Sequence, residues 1–332
     1  TSREERAAPA VLVACPDARP PAYEAAAGFA AAGMLDRFLT GFYHRERPWA
    51  PLASERVRRL LRRRSHPGIP PARVRAVWSY DLSLRVEDRL PGLRHRLARR
   101  RTEQFDRRLA AELRRRRPDV AFVFSDVGSG HALPACRELG IGSVLSMVHG
   151  DVREEQLVLE REAEQSPDFF PIYLGDGPID RAELGWLHAR RLDDIATADR
   201  ILVPSEHIAG WLVRHGTPAE RVRVVPYAAD TTRFVPDPSK RFERDRCTFL
   251  FAGGITQRKG IKYLLDAWRQ VRRPGWTLQL LGGLPADPAP LEPYRADFEW
   301  LGRVGHAEMA ARMAAADVFV FPSLFEGSAV VT

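Results

Sequence analysis

The stretch CTFLFAGGITQRKGIKYLLDAW, residues 247–268, is the segment around which the rest of the chain is organised. It opens with an apolar run at 248–251 that is long enough for one buried strand. Its second half, from Ile261 to Trp268, carries apolar side chains at helical spacing. A strand, a glycine loop and a helix form one unit of an open α/β sheet, and such sheets bind ligands at the carboxyl ends of their strands. The stretch therefore predicts a ligand site in the loop.

That loop carries residue types that suit an anion. Gly253 and Gly254 let backbone N–H groups approach a ligand closely, and the N-terminus of the following helix favours negative charge. Arg258 and Lys259 add two cations that suit a diphosphate. The alternative that local chemistry leaves open is a βα turn with a solvated basic pair.

A second stretch, ADVFVFPSLFEG at residues 316–327, has the same character. Its apolar run at 318–321 has no polar face, which predicts a strand inside a parallel sheet. Glu326 follows this strand, and its local alternative is a carboxylate that complements a helix dipole. Gly327 and Ser328 are expected to open a helix N-terminus towards a phosphate.

Six segments, in their order and spacing, resemble the retaining glycosyltransferases of family 4. They are VPSEHI (203–208), VVPYAADTTRF (224–234), FAGGITQRKGIKYLLDAW (251–268), LLGG (280–283), FEWLGRV (298–304) and ADVFVFPSLFEG (316–327). The resemblance covers most of the chain from about Ser146 onward. It implies an α/β fold of GT-B architecture, with two Rossmann-like domains whose parallel sheets face a central cleft. The implied domains are an acceptor-binding domain over 9–235 and an incomplete nucleotide-sugar-binding domain over 236–332.

The resemblance also implies roles for individual residues. Arg258 and Lys259 would stabilise the leaving diphosphate, and Glu326 would bind the donor sugar. His149 follows the strand predicted at 142–148, where many family members place a histidine on the donor sugar, and a structural histidine is the alternative. The implied donor-binding residues are Gly253, Gly254, Gly302, Arg303, Val304, Ser323, Gly327 and Ser328.

The chain departs from the family pattern in three places. Gly254 stands where many members have a basic residue, so we expect Arg258 to take over part of its work. The loop after the first predicted strand, 9–14, carries prolines where members often have glycines, which puts a phosphate contact from the first domain in doubt. The second glutamate of the family signature would fall beyond Thr332, so we expect the chain as given to bind donor poorly.

The implied reaction moves a sugar from a nucleotide-diphosphate donor to an acceptor hydroxyl with retention at the anomeric carbon. The acceptor is left open between a glycan, a lipid-linked sugar and a small molecule. No cofactor is expected, and no metal either, because no Asp-x-Asp motif follows a strand and no cysteines have metal-binding spacing. Two alternatives are a GT-B sugar-nucleotide epimerase, which turns over donor alone, and a non-catalytic glycan- or lipid-binding protein.

A dehydrogenase is not favoured. Gly128 and Gly130 begin a dinucleotide fingerprint, but Leu133 stands where the third glycine is needed. We expect Ser125 or Asp126 to cap the helix that follows instead.

Length and composition set further bounds. The 332 residues suffice for two domains, and there is no apolar run of eighteen residues and no secretory signal at the polar N-terminus. The three cysteines are far apart and odd in number. We therefore expect a cytoplasmic protein, with association at a membrane surface as the alternative.

Basic residues form clusters along the first half of the chain. The net charge is +8, and arginines concentrate in segments 56–64, 94–101 and 114–117. Solvated helix faces explain such clusters best, and peripheral contact with anionic lipid headgroups is the alternative. Nucleic acid is not expected as a partner, because no aromatic residues are interleaved with the arginines for base stacking. Residues 44–118 indicate no substrate.

Overall fold

The computed structural model describes residues 8–44, 64–87, 93–175, 180–229, 231–243 and 245–327. The chain forms two compact units. The first unit is Thr1–Val148 with Gly185–Val225, and the second is His149–Leu184 with Pro226–Thr332. The segment His149–Leu184 thus packs with the glycine-loop half of the chain. The domain boundary predicted at 235/236 stays a prediction.

The first unit is built on a seven-stranded parallel sheet in the order β3-β2-β1-β4-β5-β6-β7. Its strands are β1 (Val11–Ala14), β2 (Leu35–Thr40), β3 (Val74–Ala76), β4 (Val120–Phe124), β5 (Gly142–Ser146), β6 (Arg200–Val203) and β7 (Val222–Val224). The central strands read VLVA and VAFVF and are almost wholly buried, as expected where helices cover both faces of a parallel sheet. The strand order reverses between β1 and β4, which puts a ligand crevice of an open α/β sheet at their carboxyl ends.

Helices connect these strands. They are α1 (Pro20–Ala31), α2 (Trp78–Glu87), α3 (Arg94–Arg116), α4 (Ala132–Leu139), α6 (Arg181–Thr197) and α7 (Glu206–Arg214), with α5 (Val152–Gln165) belonging to the second unit. Two proline residues open α1, where the missing N–H groups cost nothing. Ser205 caps α7 by accepting a hydrogen bond from the N–H of Ile208 at 3.4 Å.

The start of α4 differs from the prediction. Neither Ser125 nor Asp126 caps it, and residue 131 precedes the helix without a side-chain cap. Instead Asp106, on α3, accepts hydrogen bonds from the N–H groups of residues 130–132 at 2.8–3.1 Å. A buried carboxylate from a neighbouring helix satisfies these donors, so no local residue is needed.

The second unit contains a four-stranded parallel sheet in the order β10-β9-β8-β11. Its strands are β8 (Cys247–Ala252), β9 (Trp276–Leu281), β10 (Glu299–Gly302) and β11 (Val318–Phe319), and its further helices are α8 (Ile261–Val271) and α9 (His306–Ala315). Helix α8 buries the apolar positions that the sequence predicts: Ile261, Leu264, Leu265 and Trp268. The unit of strand, glycine loop and helix is therefore confirmed.

The strand predicted over 318–321 is shorter than expected. Only Val318 and Phe319 form the strand, and β11 pairs with β8 at one end of the described order. No described strand pairs with the other edge of β11, so Phe319 remains 36% exposed. β11 thus belongs to the parallel sheet, and its predicted place inside that sheet stays a prediction.

Among the described helices, none combines the length and the apolar composition that crossing a membrane requires.

Candidate functional site

The loops that follow β8 and β9 form one continuous backbone surface. The N–H of Gly253 donates to the carbonyl of Leu281 at 2.9 Å, and the N–H of Ile255 donates to the carbonyl of Gly283 at 3.0 Å. A methyl group placed on Gly282 would overlap the carbonyl oxygen of Gly253. Glycine at position 282 therefore allows the two strand ends to approach each other, and the predicted loop of Gly253 and Gly254 lies at this junction.

The two predicted cations lie on a single turn. Gln257–Lys259 form a 3₁₀ turn that ends at Gly260, whose φ is 71°. A side chain on Gly260 would be strained in this left-handed conformation and would overlap the carbonyl of Pro322. Glycine here lets the basic turn lie directly against the segment that follows β11.

Three predicted site residues converge on one oxygen of a fourth, Glu326. Glu326 Oε1 accepts from Lys259 Nζ, from Ser323 Oγ at 2.8 Å and from Arg258 Nη1 at 3.3 Å. Arg258 Nη1 also donates to the carbonyl of Phe325 at 3.1 Å. The side chains of Lys259 and Glu326 are 14% and 20% exposed, so these charges are only partly screened by water.

His149 is followed by Gly150, which lies against this cluster. A methyl group on Gly150 would lie 2.6 Å from the ring of Phe325 and 3.1 Å from the carbonyl oxygen of Glu326. His149 Nδ1 is 2.8 Å from the carbonyl oxygen of Gly150, an atom that can only accept, so this contact favours the tautomer protonated at Nδ1. The structure therefore brings residues 149–150 and 325–326 together within the second unit.

The residues after β10 reach the same loops. The N–H of Gly282 donates to the carbonyl of Gly302 at 2.8 Å, and Val304 packs on the small core around Leu281. A methyl group on Gly283 would overlap the guanidinium of Arg303, so this side chain lies across the loop after β9. The resemblance implies donor-binding residues at 302–304, and the side chain of Arg303 adds a third cation near the glycine loops.

Two predicted residues lie at the end of the chain. Gly327 is the last residue that the structure describes. Ser328 lies outside the described residues.

Three residues that sequence reasoning missed support the basic turn. Gln257 is fully buried, and its Nε2 donates to Glu162 Oε2 at 2.6 Å. The N–H of Arg258 donates to the carbonyl of Tyr173 at 3.1 Å. Burial raises the pKa of the Tyr173 hydroxyl, and the nearby charge of Glu155 raises it further. The sequence carries a signal for Glu162 in α5. The buried positions 152, 155, 159 and 162 recur at helical spacing, although two of them are glutamates.

A small cavity lies in the first unit, at the carboxyl ends of β1 and β4. It has a volume of about 40 Å³, and its lining includes Pro16, Arg19, Tyr80 and Asp126. Arg19 Nη2 lies 3.6 Å from Asp126 Oδ2 across this crevice. The cavity coincides with the reversal of strand order described above.

Taken together, the second unit presents glycine-lined backbone, three cations and one carboxylate at the ends of parallel strands. Such an arrangement suits a ligand that carries both phosphate and hydroxyl groups, because cations and N–H groups bind the former and a carboxylate binds the latter. Within the described ranges, no group of three or more His, Cys, Asp or Glu side chains is placed to hold a metal ion.

Known structures with the same fold include three sugar-handling proteins. Sucrose-phosphate synthase from Thermosynechococcus elongatus aligns with a TM-score of 0.58 and 18% identity, over 98% of this chain and 78% of that one. The lipopolysaccharide outer core galactosyltransferase WaaB aligns with a TM-score of 0.53 and 14% identity, over 96% and 75%. Anabaena HepE, solved in complex with UDP and glucose, aligns with a TM-score of 0.52 and 13% identity, over 94% and 74%. These similarities show the GT-B fold.

No curated protein matches the sequence of this chain. Two family models do match it. Residues 73–233 match the model described as Glycosyltransferase Family 4, and residues 246–332 match the model described as Glycosyl transferases group 1. With both halves matched and a GT-B fold, the chain belongs to the glycosyltransferases of group 1 and family 4.

Proposed function

We propose that this glycosyltransferase takes a sugar from a nucleotide-diphosphate donor and transfers it to an acceptor hydroxyl with retention of anomeric configuration. The single observation that carries the proposal is the basic turn beside the glycine loops, where Arg258 and Lys259 lie against the carboxylate of Glu326. The complex of HepE with UDP and glucose supports a nucleotide-sugar as the donor.

The proposed chemistry rests on charge at the leaving group. As the glycosidic bond breaks, the diphosphate gains negative charge, and preorganised cations stabilise that state more than the ground state. Arg258 and Lys259 supply these cations. Arg303 lies near the glycine loops and can supplement them, because Gly254 occupies the position where many family members carry a basic residue. His149 and Glu326 act on the sugar, and Ser323 orients Glu326 through its hydrogen bond.

Glu326 has a second proposed task before the donor binds. Its Oε1 accepts from both cations, so the carboxylate occupies them in the absence of phosphate. Arrival of the diphosphate exchanges one anion for another and releases Glu326 to accept from sugar hydroxyls. The site thereby avoids partly buried, unpaired charges in either state.

We further propose that transfer needs no metal ion. The two side-chain cations are suited to the charge neutralisation that a divalent ion provides in other phosphate-transfer sites. Transfer should therefore persist in excess EDTA, at a rate within about twofold of that with Mg²⁺, a difference of only a few tenths of a kcal/mol. A loss of transfer in EDTA that Mg²⁺ or Mn²⁺ restores would contradict this proposal.

The acceptor is proposed to enter at the first unit, where the cavity lined by Arg19 and Asp126 lies at the carboxyl ends of β1 and β4. These side chains offer both a donor and an acceptor of hydrogen bonds. We propose a cytoplasmic protein, supported by the three free and buried cysteines, with peripheral membrane contact through exposed arginines as the variant tested below.

The experiment that tests the proposed function combines binding and turnover. Binding of UDP, GDP and ADP is measured by calorimetry on the chain and on its Arg258→Ala and Lys259→Ala variants. Each substitution should weaken binding by roughly 1.5–3 kcal/mol, the range for hydrogen bonds to charged groups. Arg269→Ala removes a cation of the same unit that pairs with Asp297, and it should leave the affinity unchanged.

Three outcomes discriminate between functions. Transfer of sugar to an added acceptor, with product of the donor's anomeric configuration, supports the proposal. Isomerisation of the nucleotide-sugar without acceptor would favour an epimerase. Unchanged affinity in both single variants and in the double variant would show that the basic turn is not part of the donor site.

A further inference from the structure

Glu162 is a buried carboxylate that the proposed chemistry does not use. It lies on α5 with 2% of its surface exposed. Both of its oxygens accept hydrogen bonds: Oε2 from the amide of Gln257 at 2.6 Å, and Oε1 from the hydroxyl of Tyr263 at 2.7 Å. Each of these partners is an uncharged side chain.

Burial of this charge is costly for a helix that only needs to pack. Removing a carboxylate from water costs several kcal/mol, which hydrogen bonds from neutral groups only partly offset. Of the three other buried positions of α5, Val152 and Leu159 are apolar and the third is Glu155. An apolar residue would serve the packing at 162 as well, so the carboxylate is explained by what its hydrogen bonds hold in place.

What Glu162 holds is the start of the basic turn. Gln257 is fully buried and is the residue directly before Arg258. The Oε1 of Gln257 accepts from the N–H of Lys262 at 3.2 Å, in the first turn of α8. Both polar atoms of its side-chain amide are therefore held, the nitrogen by Glu162 and the oxygen by the first turn of α8.

A second contact holds the other side of the turn to the same segment of the chain. The N–H of Arg258 donates to the carbonyl of Tyr173 at 3.1 Å. Nearby, Lys262 Nζ lies 3.1 Å from Asp168 Oδ2 and 5.1 Å from the centre of the Phe169 ring. Residues 162–173 thus hold the turn that carries the two cations.

We infer that Glu162 is a positioning residue for the diphosphate site: through Gln257 it sets the direction in which Arg258 and Lys259 present their charges. This inference rests on the proposed function of the basic turn. Its consequence is that affinity for a diphosphate depends on a hydrogen bond whose partners never touch the ligand.

A reciprocal exchange tests the inference. Gln257→Glu places two carboxylates where one hydrogen bond stood, and it should weaken binding of the best nucleoside diphosphate among UDP, GDP and ADP by about tenfold, the equivalent of one hydrogen bond to a charged group. Adding Glu162→Gln to this variant restores the hydrogen bond with donor and acceptor reversed. The double variant should therefore bind within about twofold of the unchanged chain, well inside the tenfold that one such bond represents.

Tyr263→Phe is the matched control. It removes the other hydrogen bond to the same carboxylate without touching the turn, so it should lower the midpoint of thermal unfolding and leave diphosphate affinity unchanged. If Gln257→Glu does not fold, Gln257→Met, which keeps the volume and removes the hydrogen bonds, is measured in its place and should show the same loss.

The possible results separate cleanly. Full affinity in Gln257→Glu or Gln257→Met, or weak binding in the double variant, would overturn the positioning role. An equal loss of affinity in Tyr263→Phe would overturn it too, because that result would mark a general effect on stability. If the unchanged chain binds none of the three nucleoside diphosphates even weakly, the proposed function fails, independently of the positioning role.

Discussion

Glu326 is the residue at which the electrostatics of the candidate site can be tested most directly. Its Oε1 accepts from Lys259, Arg258 and Ser323, so it competes with any phosphate for the two cations. Glu326→Gln removes this competing charge and keeps the shape of the side chain. Free nucleoside diphosphate should therefore bind about three- to tenfold more tightly, while sugar transfer should fall by at least about tenfold because the proposed sugar contact loses its charge.

Calorimetry with UDP and a transfer assay measure the two effects separately. Glu308→Gln is the control, because Glu308 is an exposed carboxylate of the same unit that pairs with Arg312 at 3.4 Å. It should change neither quantity. If Glu326→Gln lowers the affinity for UDP and the rate of transfer by the same factor, the carboxylate supports the fold of the site and does not compete with phosphate.

Asp194 carries a prediction about pH. It is fully buried on α6, its Oδ2 accepts from the N–H of Asp126 at 2.8 Å, and burial raises its pKa to about 7. The charge of Asp126 also raises the pKa of Asp194, whereas the N–H of Asp126 and the charge of Arg190 lower it. Since the unfolded chain ionises this group near pH 4, its contribution to stability is retained below that pH and lost as the pH rises towards 7.

Asp194→Asn removes this dependence. The free energy of unfolding of the variant, relative to that of the unchanged chain, should rise with pH between about 4 and 7 by on the order of 1 kcal/mol per pH unit. Denaturant titrations at several pH values measure it. Asp193→Asn, at the exposed neighbouring position, is the control for the substitution itself. A flat difference for Asp194→Asn would mean that the buried carboxyl does not titrate in this range.

At the scale of elements, the start of α4 depends on α3. Asp106 accepts from three N–H groups at the start of α4 and from Arg190 Nη2 at 2.8 Å, and it is fully buried. Asp106→Ala leaves these donors and the buried guanidinium without their acceptor. The free energy of unfolding of the first unit should fall by about 3–5 kcal/mol, the range for removing one partner of a buried ion pair.

Chemical denaturation followed by far-UV circular dichroism measures this loss. Glu103→Ala is the comparison, because the half-exposed side chain of Glu103 lies on the same helix and pairs with Arg107 at 3.7 Å. It should cost no more than about 0.5 kcal/mol, the usual value of an exposed pair of this spacing. Similar losses in the two variants would show that the donors at α4 find other partners.

At the scale of the whole molecule, the arginine clusters are partly neutralised within the fold. Arg101 pairs with Glu87 at 2.5 Å, and Arg114 pairs with Glu138 at 3.3 Å. Arg115 and Arg116 pair with carboxylates as well. Arg96, Arg100 and Arg117 are exposed and are the described cluster residues best placed for an anionic surface. Part of the charge that suggests membrane contact is therefore used inside the protein.

The exposed arginines give a prediction about membranes. Each arginine near an anionic lipid surface contributes about 1 kcal/mol to binding, so Arg96→Glu with Arg100→Glu should reduce binding to vesicles that contain phosphatidylserine by at least about tenfold. Cosedimentation measures this, with vesicles of neutral lipid as the control. Equal binding of the variant and the unchanged chain would exclude these two residues as membrane contacts.

Much of the second unit could be predicted from local sequence. Helix α8 lies where the apolar spacing of residues 261–268 predicts it, since that period reflects which side of the helix packs against the sheet. The order of motifs also led to the family and to the GT-B fold, because several short glycine-bearing segments in fixed order are far more specific than any one of them. The functional roles of the site residues stay predictions.

Only the tertiary structure decided which side chains support those residues. The acceptor for the start of α4 is Asp106 on α3, and the acceptor for Gln257 is Glu162 on α5. The sequence by itself determined the periodicities and the motif order, because these depend on neighbours along the chain. Long-range hydrogen bonds and strand neighbours depend on which segments meet in space, and only the folded chain shows that.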